Sequence, residues 1–189
     1  MNTRPILFSA PMVRALLDGS KSQTRRVVKR SDEWPVTAVK AVVLETRGTA
    51  MAVDAGRFAY GPEIKCPYGQ PGDRLWVRET WIDASSDLHS CVIYRADGDE
   101  QACGEPWKPS IFMPRWASRI ALEITGVRVE RLQNISRGDA MGEGCPFPNM
   151  AQGDDPRQWY ADLWGQINGP GSWDANPWVW VVEFKRTKP

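Results

Sequence analysis

The stretch Gly19-Ser20-Lys21-Ser22-Gln23-Thr24-Arg25-Arg26 sets an amine, an alcohol and two guanidinium groups within eight positions. A threonine hydroxyl becomes a nucleophile when a base takes its proton. A lysine serves as that base when burial or neighbouring positive charge lowers its pKa. Arg25 and Arg26 supply such charge, and Lys21 and Thr24 face one cavity if the segment is extended or tightly turned. A carboxyl group acting as proton donor would complete the set. Glu79 in "WVRETW" and Glu143 in "AMGEG" are both candidates, and spacing alone does not choose between them.

Other chemistries have less to work with. The only histidine, His89, lies in the polar stretch "SSDLHS", so a Ser-His-Asp arrangement has no support. The four cysteines, Cys66, Cys91, Cys103 and Cys145, form no C-x-x-C pair. A zinc set of Cys66, His89, Cys91 and Cys103 lacks regular ligand spacing, so reduced thiols, no metal and no cofactor are expected.

The formal net charge is +1 over 189 residues, which excludes a large non-specific grip on nucleic-acid phosphate. Nucleic-acid contact would have to come from local arginine clusters. Ten tryptophans are available. Most are expected in the core, and Trp116, flanked by Arg115 and Arg119, is the candidate for stacking on a base. With 42% hydrophobic and 25% charged residues the chain reads as an ordinary globular protein. No apolar run is long enough to span a bilayer and the first residues lack a signal-peptide pattern, so a cytosolic location without membrane contact is expected.

Local patterning supplies the elements that must position these groups. "APMVRALLDG" predicts a short helix closed by Gly19, and "TRRVVKR" a strand. "VTAVKAVVLET" and "TAMAVD" predict two strands joined at "RG". Pro71-Gly72-Asp73 predicts a structural turn leading into the strand of "DRLWVRETW", where Glu79 would end the strand and pair with an arginine. "CVIYRAD" predicts a further strand, "SRIALEITGVRVERLQNI" two strands hinged near Gly126, and "PWVWVVEFKR" a β-rich one. Ser136 with Asp139 predicts a capping box for a short helix ending at Gly144. Asp155-Pro156 opens a longer helix whose Tyr160, Leu163, Trp164 and Ile167 share one face. The many strands and few helices point to a small closed barrel. Residues 83–115 and 146–156 read as loop insertions within one domain, 1–189.

Five segments carry a resemblance: "LLDGSKSQTRR", "QPGDRLWVRETW", "PWKPSIFMPRWASRIALEITGVRVERLQNIS", "GDAMGEG" and "WVWVVEFKR". Together they run from near Ile6 to Arg186. They make the chain similar to the ASCH domain family, relatives of the PUA RNA-binding fold, and most of all to its longer phage and prophage members. The first and fourth match the family's general signature, and "MPRWASRI" matches the phage-type subgroup. The resemblance implies an α+β fold: a small PUA-like β-barrel with short flanking helices, inserted loops, and a cleft between barrel and helices. In small members that deacetylate acetylcytidine, a Lys, a Thr three residues later and a Glu act as base, nucleophile and proton donor. Those positions fall on Lys21, Thr24 and Glu143. Arg25, Arg26, Arg115, Trp116 and Arg119 would then contact phosphate or base.

This chain is longer than those amidohydrolases, and other members bind or cleave RNA. A shared barrel does not fix the reaction. The leading expectation is a protein that binds RNA or a modified nucleoside in its cleft. The alternatives are an amidohydrolase acting on a modified nucleoside such as acetylcytidine, a ribonuclease, and a phage accessory protein acting on a host protein.

Overall fold

The computed structural model describes residues 2–28, 39–44, 49–54, 60–85, 91–98, 104–147 and 155–188. The fold is α+β. Its centre is a mixed five-stranded sheet of β1 (Thr3–Leu7), β2 (Gln23–Val27), β6 (Arg74–Arg78), β9 (Ala121–Arg131) and β10 (Trp178–Thr187). Their order is β1-β6-β9-β10-β2, with β1 parallel to β6 and the other neighbours antiparallel. Strands β3 (Val39–Leu44), β4 (Thr49–Asp54) and β5 (Tyr60–Lys65) make a separate antiparallel sheet. Strands β7 (Trp81–Asp83) and β8 (Val92–Tyr94) make a two-stranded ribbon.

Each face of the main sheet carries its own core. Successive strand residues point to opposite faces. Leu75 and Val77 of β6, Leu122, Ile124, Val127 and Val129 of β9, and Trp180, Val182 and Phe184 of β10 therefore meet on one side. Helix α1 (Ala10–Asp18) closes that side with Val13 and Leu16. On the opposite side Val179 and Val181 receive Tyr160 and Trp164 of α3 (Pro156–Asn168) and Ala140 of α2 (Arg137–Gly142). Full burial of one such apolar side chain contributes roughly 1.5–3 kcal/mol.

The expected backbone closure into a barrel is not what the ladder shows. β1 and β2 stand at its two ends, and side chains join them instead. Arg26 Nη2 donates to the Leu7 carbonyl at 2.6 Å, and its guanidinium lies 5.5 Å from the Phe8 ring centroid. The sheet thus curls until its edges touch.

The hinge expected near Gly126 is also corrected. β9 is continuous, and Thr125 is an extra residue in the register with β10, where Gly126 opposes Glu183 and Ile124 opposes Phe184. This irregularity exchanges the buried phase from Leu122 and Ile124 to Val127 and Val129. A Cβ at Gly126 would approach Glu183 Oε2 to 2.7 Å, so a larger residue there would push that carboxylate aside.

Several local expectations hold. Gly19 closes α1 in the left-handed region at φ 86°. Asp155 caps α3 by accepting from the Arg157 amide. The capping box of Ser136 and Asp139 is present. Gly72 takes φ 91° in the Pro71-Gly72 turn, and Asp73 N–H closes on the Gln70 carbonyl at 2.9 Å. Ile167 departs from its expected packing: it is half exposed, at the rim of the cleft described below.

The segment 83–115 is more than loop where it is described. It carries β8, and Met113 and Ala117 pack on Trp81 with Val92 and Tyr94 against them. His89, Cys103, Trp34 and the "RG" turn lie outside the described residues. Cys66 and Cys145 are buried and Cys91 is exposed. No helix among the described residues is long and apolar enough to cross a membrane.

Candidate active site beside the β2 edge

Gly19 ends α1, Lys21 lies in the short link that follows, and β2 then carries Thr24 along the sheet edge. The capping box starts α2, and Glu143 follows as its C-terminal cap. The two segments then pair directly: Lys21 and Glu143 form an isolated antiparallel bridge, and Ser22 N–H donates to the Gly142 carbonyl at 2.8 Å. Gly144, at φ 95°, makes the tight exit possible, because a Cβ would stand 2.9 Å from that of Ala15.

Lys21 Nζ donates to Glu143 Oε2 and to the Glu143 carbonyl, each at 2.8 Å. The two side chains are 0% and 2% exposed. Burial pulls the Lys21 ammonium below its ordinary pKa range. The Glu143 carboxylate opposes that shift, and Arg26 and Arg25 reinforce it. The other Glu143 oxygen, Oε1, accepts from Arg25 Nη1 at 3.1 Å.

Arg25 is held in turn. Its Nη2 lies 2.6 Å from Glu130 Oε1 and 3.4 Å from Asp139 Oδ2. Arg128 links Glu130, Asp139 and Glu183 into the same network. Burial works against the Asp139 charge, but the Ser136 hydroxyl, Arg25 and Arg128 outweigh it, and the carboxyl falls below its ordinary range. Buried charge of this density is tolerated because every member has an opposite partner.

A cleft of about 60 Å³ opens along the β2 edge. Thr24, Arg26, Glu143 and Tyr160 line it, with Met12 from α1 and Ile167 from α3 at its sides. Burial raises the Tyr160 hydroxyl well above its ordinary pKa range, so it stays protonated. A small space lined by an alcohol and by a carboxylate that holds a buried amine behind it suits acyl transfer.

Lys21, Thr24, Arg25, Arg26 and Glu143 are therefore brought together. Arg25 is enclosed by carboxylates and faces no solvent. Arg115 and Trp116 line a different groove, which shares no residue with the cleft. Arg119 is engaged by Glu79, at 3.0 Å from each carboxylate oxygen, and by Asp97 at 2.7 Å. Glu79 thus ends its strand in an arginine pair as expected. Burial raises its pKa, and Arg119 opposes the rise.

Sequence reasoning missed Glu130, Asp139 and Arg128 as holders of Arg25. The alternation in "VRVER" was the available signal, since it puts Arg128 and Glu130 together on the face opposite Val127 and Val129.

No family model matches the chain, and no curated protein matches it. Among solved structures the chain is similar to an ASCH domain from Lactobacillus crispatus JV V101. The identity is 12% and the TM-score 0.46, over 100% of this chain and 81% of that one. An overlay that loose fixes neither family nor activity.

Proposed function

We propose that the protein is an ASCH-type amidohydrolase that removes a small acyl group from the exocyclic amine of a modified nucleoside. The observation that carries this reading is the 2.8 Å contact between Lys21 Nζ and Glu143 Oε2, the carboxylate that lines the cleft together with Thr24. The cleft's size favours an acetyl group, with the sugar left outside the rim.

The 2.8 Å Lys21–Glu143 contact offers a path for a proton. Passing one from ammonium to carboxylate along the short contact yields a neutral amine and a carboxylic acid, the forms that hydrolysis needs, without any net change in charge. The low polarity around Lys21 favours that transfer. Thr24 Oγ1 then attacks the acyl carbon and gives its proton to Lys21 Nζ. As the C–N bond breaks, the leaving amine takes the proton of Glu143. Water hydrolyses the threonyl ester, releasing carboxylate and restoring the hydroxyl.

The test is acetate release from acetylcytidine. The intact protein should release acetate, Thr24→Ala and Lys21→Ala should lower the rate by at least about a hundredfold, and Glu143→Gln should lower kcat more than it changes KM. Absence of release by the intact, folded protein overturns the proposal.

A further inference from the structure

The groove bordered by Arg115 and Trp116 lies outside the cleft and is larger, about 450 Å³. Arg74 and Trp76 line its floor on the outer face of β6, and Arg78 follows them on that face outside the lining itself. The Arg78 guanidinium lies 4.7 Å from the Trp76 ring centroid. Trp116 stands above the floor, 61% exposed, and is held edge-on against buried Trp81 with centroids 5.9 Å apart. Lys108 covers the other part of Trp81, its Nζ 5.0 Å from the ring centroid. Phe112, in the neighbouring turn, is 71% exposed.

The charges here differ in kind from those around Lys21. Among the described residues, Arg74, Arg78, Lys108 and Arg115 form no ion pair with any carboxylate. Asp83 acts on Lys108 through space without pairing with it, and the acids near the arginines are engaged elsewhere. Glu123, opposite Arg74 across the ladder, pairs with Lys185 at 3.0 Å, and Glu79 and Asp97 pair with Arg119. Arg74 Nε and Arg78 Nε are shielded from solvent and have no hydrogen-bond partner. A nearly neutral protein has thus gathered unneutralised cations around exposed aromatic rings.

We infer that this groove binds a single-stranded nucleic acid, with a base stacked on Trp116 and phosphates held by Arg74, Arg78 and Arg115. The pairing of unneutralised guanidinium groups with a rigidly buttressed aromatic face matches the alternation of charge and flat ring along such a strand. A purely apolar protein partner would leave these cations desolvated without compensation. The inference does not depend on the chemistry proposed for Lys21 and Thr24.

The test is fluorescence anisotropy with labelled fifteen-residue oligouridine and oligothymidine at 50 and 200 mM salt. Binding should weaken by roughly twentyfold or more between the two salts, as expected for three or four neutralised phosphates on a single strand. Trp116→Ala and Arg115→Ala should each weaken it about tenfold, and Trp116→Phe should restore most of the loss. Both side chains are exposed, and circular dichroism checks that the variants fold. A ratio between the two oligomers tells RNA from DNA. No binding of either strand at 50 mM salt overturns the inference. So does binding that survives both variants, or binding abolished by Thr24→Ala and kept by Trp116→Ala, which would place the strand in the cleft.

Discussion

Glu143 accepts from two cations at once, Lys21 through one oxygen and Arg25 through the other. Removing its charge therefore strands the buried Lys21 ammonium and takes one of three carboxylates from Arg25, whereas removing the Lys21 ammonium leaves Arg25 to neutralise the carboxylate. Glu143→Gln should cost about 3–5 kcal/mol in urea unfolding, and Lys21→Met clearly less. Equal losses would mean that Arg25 does not share the carboxylate. The neighbouring arginines show what sequence could and could not say at this scale. Residue chemistry singled out Lys21 and Thr24 and left Glu79 and Glu143 both open, and only the family motifs favoured Glu143. Arg25 and Arg26 both looked like phosphate ligands, yet adjacent strand residues face opposite ways. Arg25 therefore turns toward α2 and α3 and is enclosed by acids, while Arg26 turns to Phe8. That alternation was readable, but the carboxylates around Arg25 were not, because they come from residues more than a hundred positions away.

Among the elements, α2 has the most consequence for its size. Six residues set the position of Glu143, and the Ser136–Asp139 box holds their start, with the Asp139 amide donating to Ser136 Oγ at 3.0 Å. Ser136→Ala should lower stability by about 1 kcal/mol and also reduce acetate release, since the helix end carries Glu143, the proposed proton donor. Asp139 adds a pH signature. Its folded pKa lies below the ordinary aspartate value, so its contribution is complete above about pH 4 and is lost as pH falls through the depressed value. An Asp139→Asn variant should lack that part of the acid-unfolding limb, which a pH series of urea midpoints would show. Helix boundaries were readable here because caps are local chemistry. The β9 irregularity was not, because it is a property of the pairing with β10. The phase change in the apolar pattern was visible, and a hinge was the simplest reading of it.

At the scale of the whole molecule, the two cores share one sheet. Val179 and Val181 face α3 while Trp180 and Val182, between and beside them, face α1. Neither core can be lost without exposing the back of the other, so near-UV circular dichroism and tryptophan fluorescence should report one coincident urea transition. Two separated transitions would show that the α3 layer melts by itself. The α+β class followed from the mixture of strand-like and helix-like periodicities. The sheet's open ladder did not, because closure by Arg26 and Leu7 is a single side-chain contact with no pattern along the chain.

Strand β2 has one ladder neighbour, β10, and Lys21 meets its carboxylate 122 residues further on. During synthesis the segment bearing the amine and the alcohol leaves the ribosome long before either companion exists. On the proposed chemistry a nascent chain is therefore idle until translation has passed residue 187, and a premature stop before β10 should yield a product that releases no acetate.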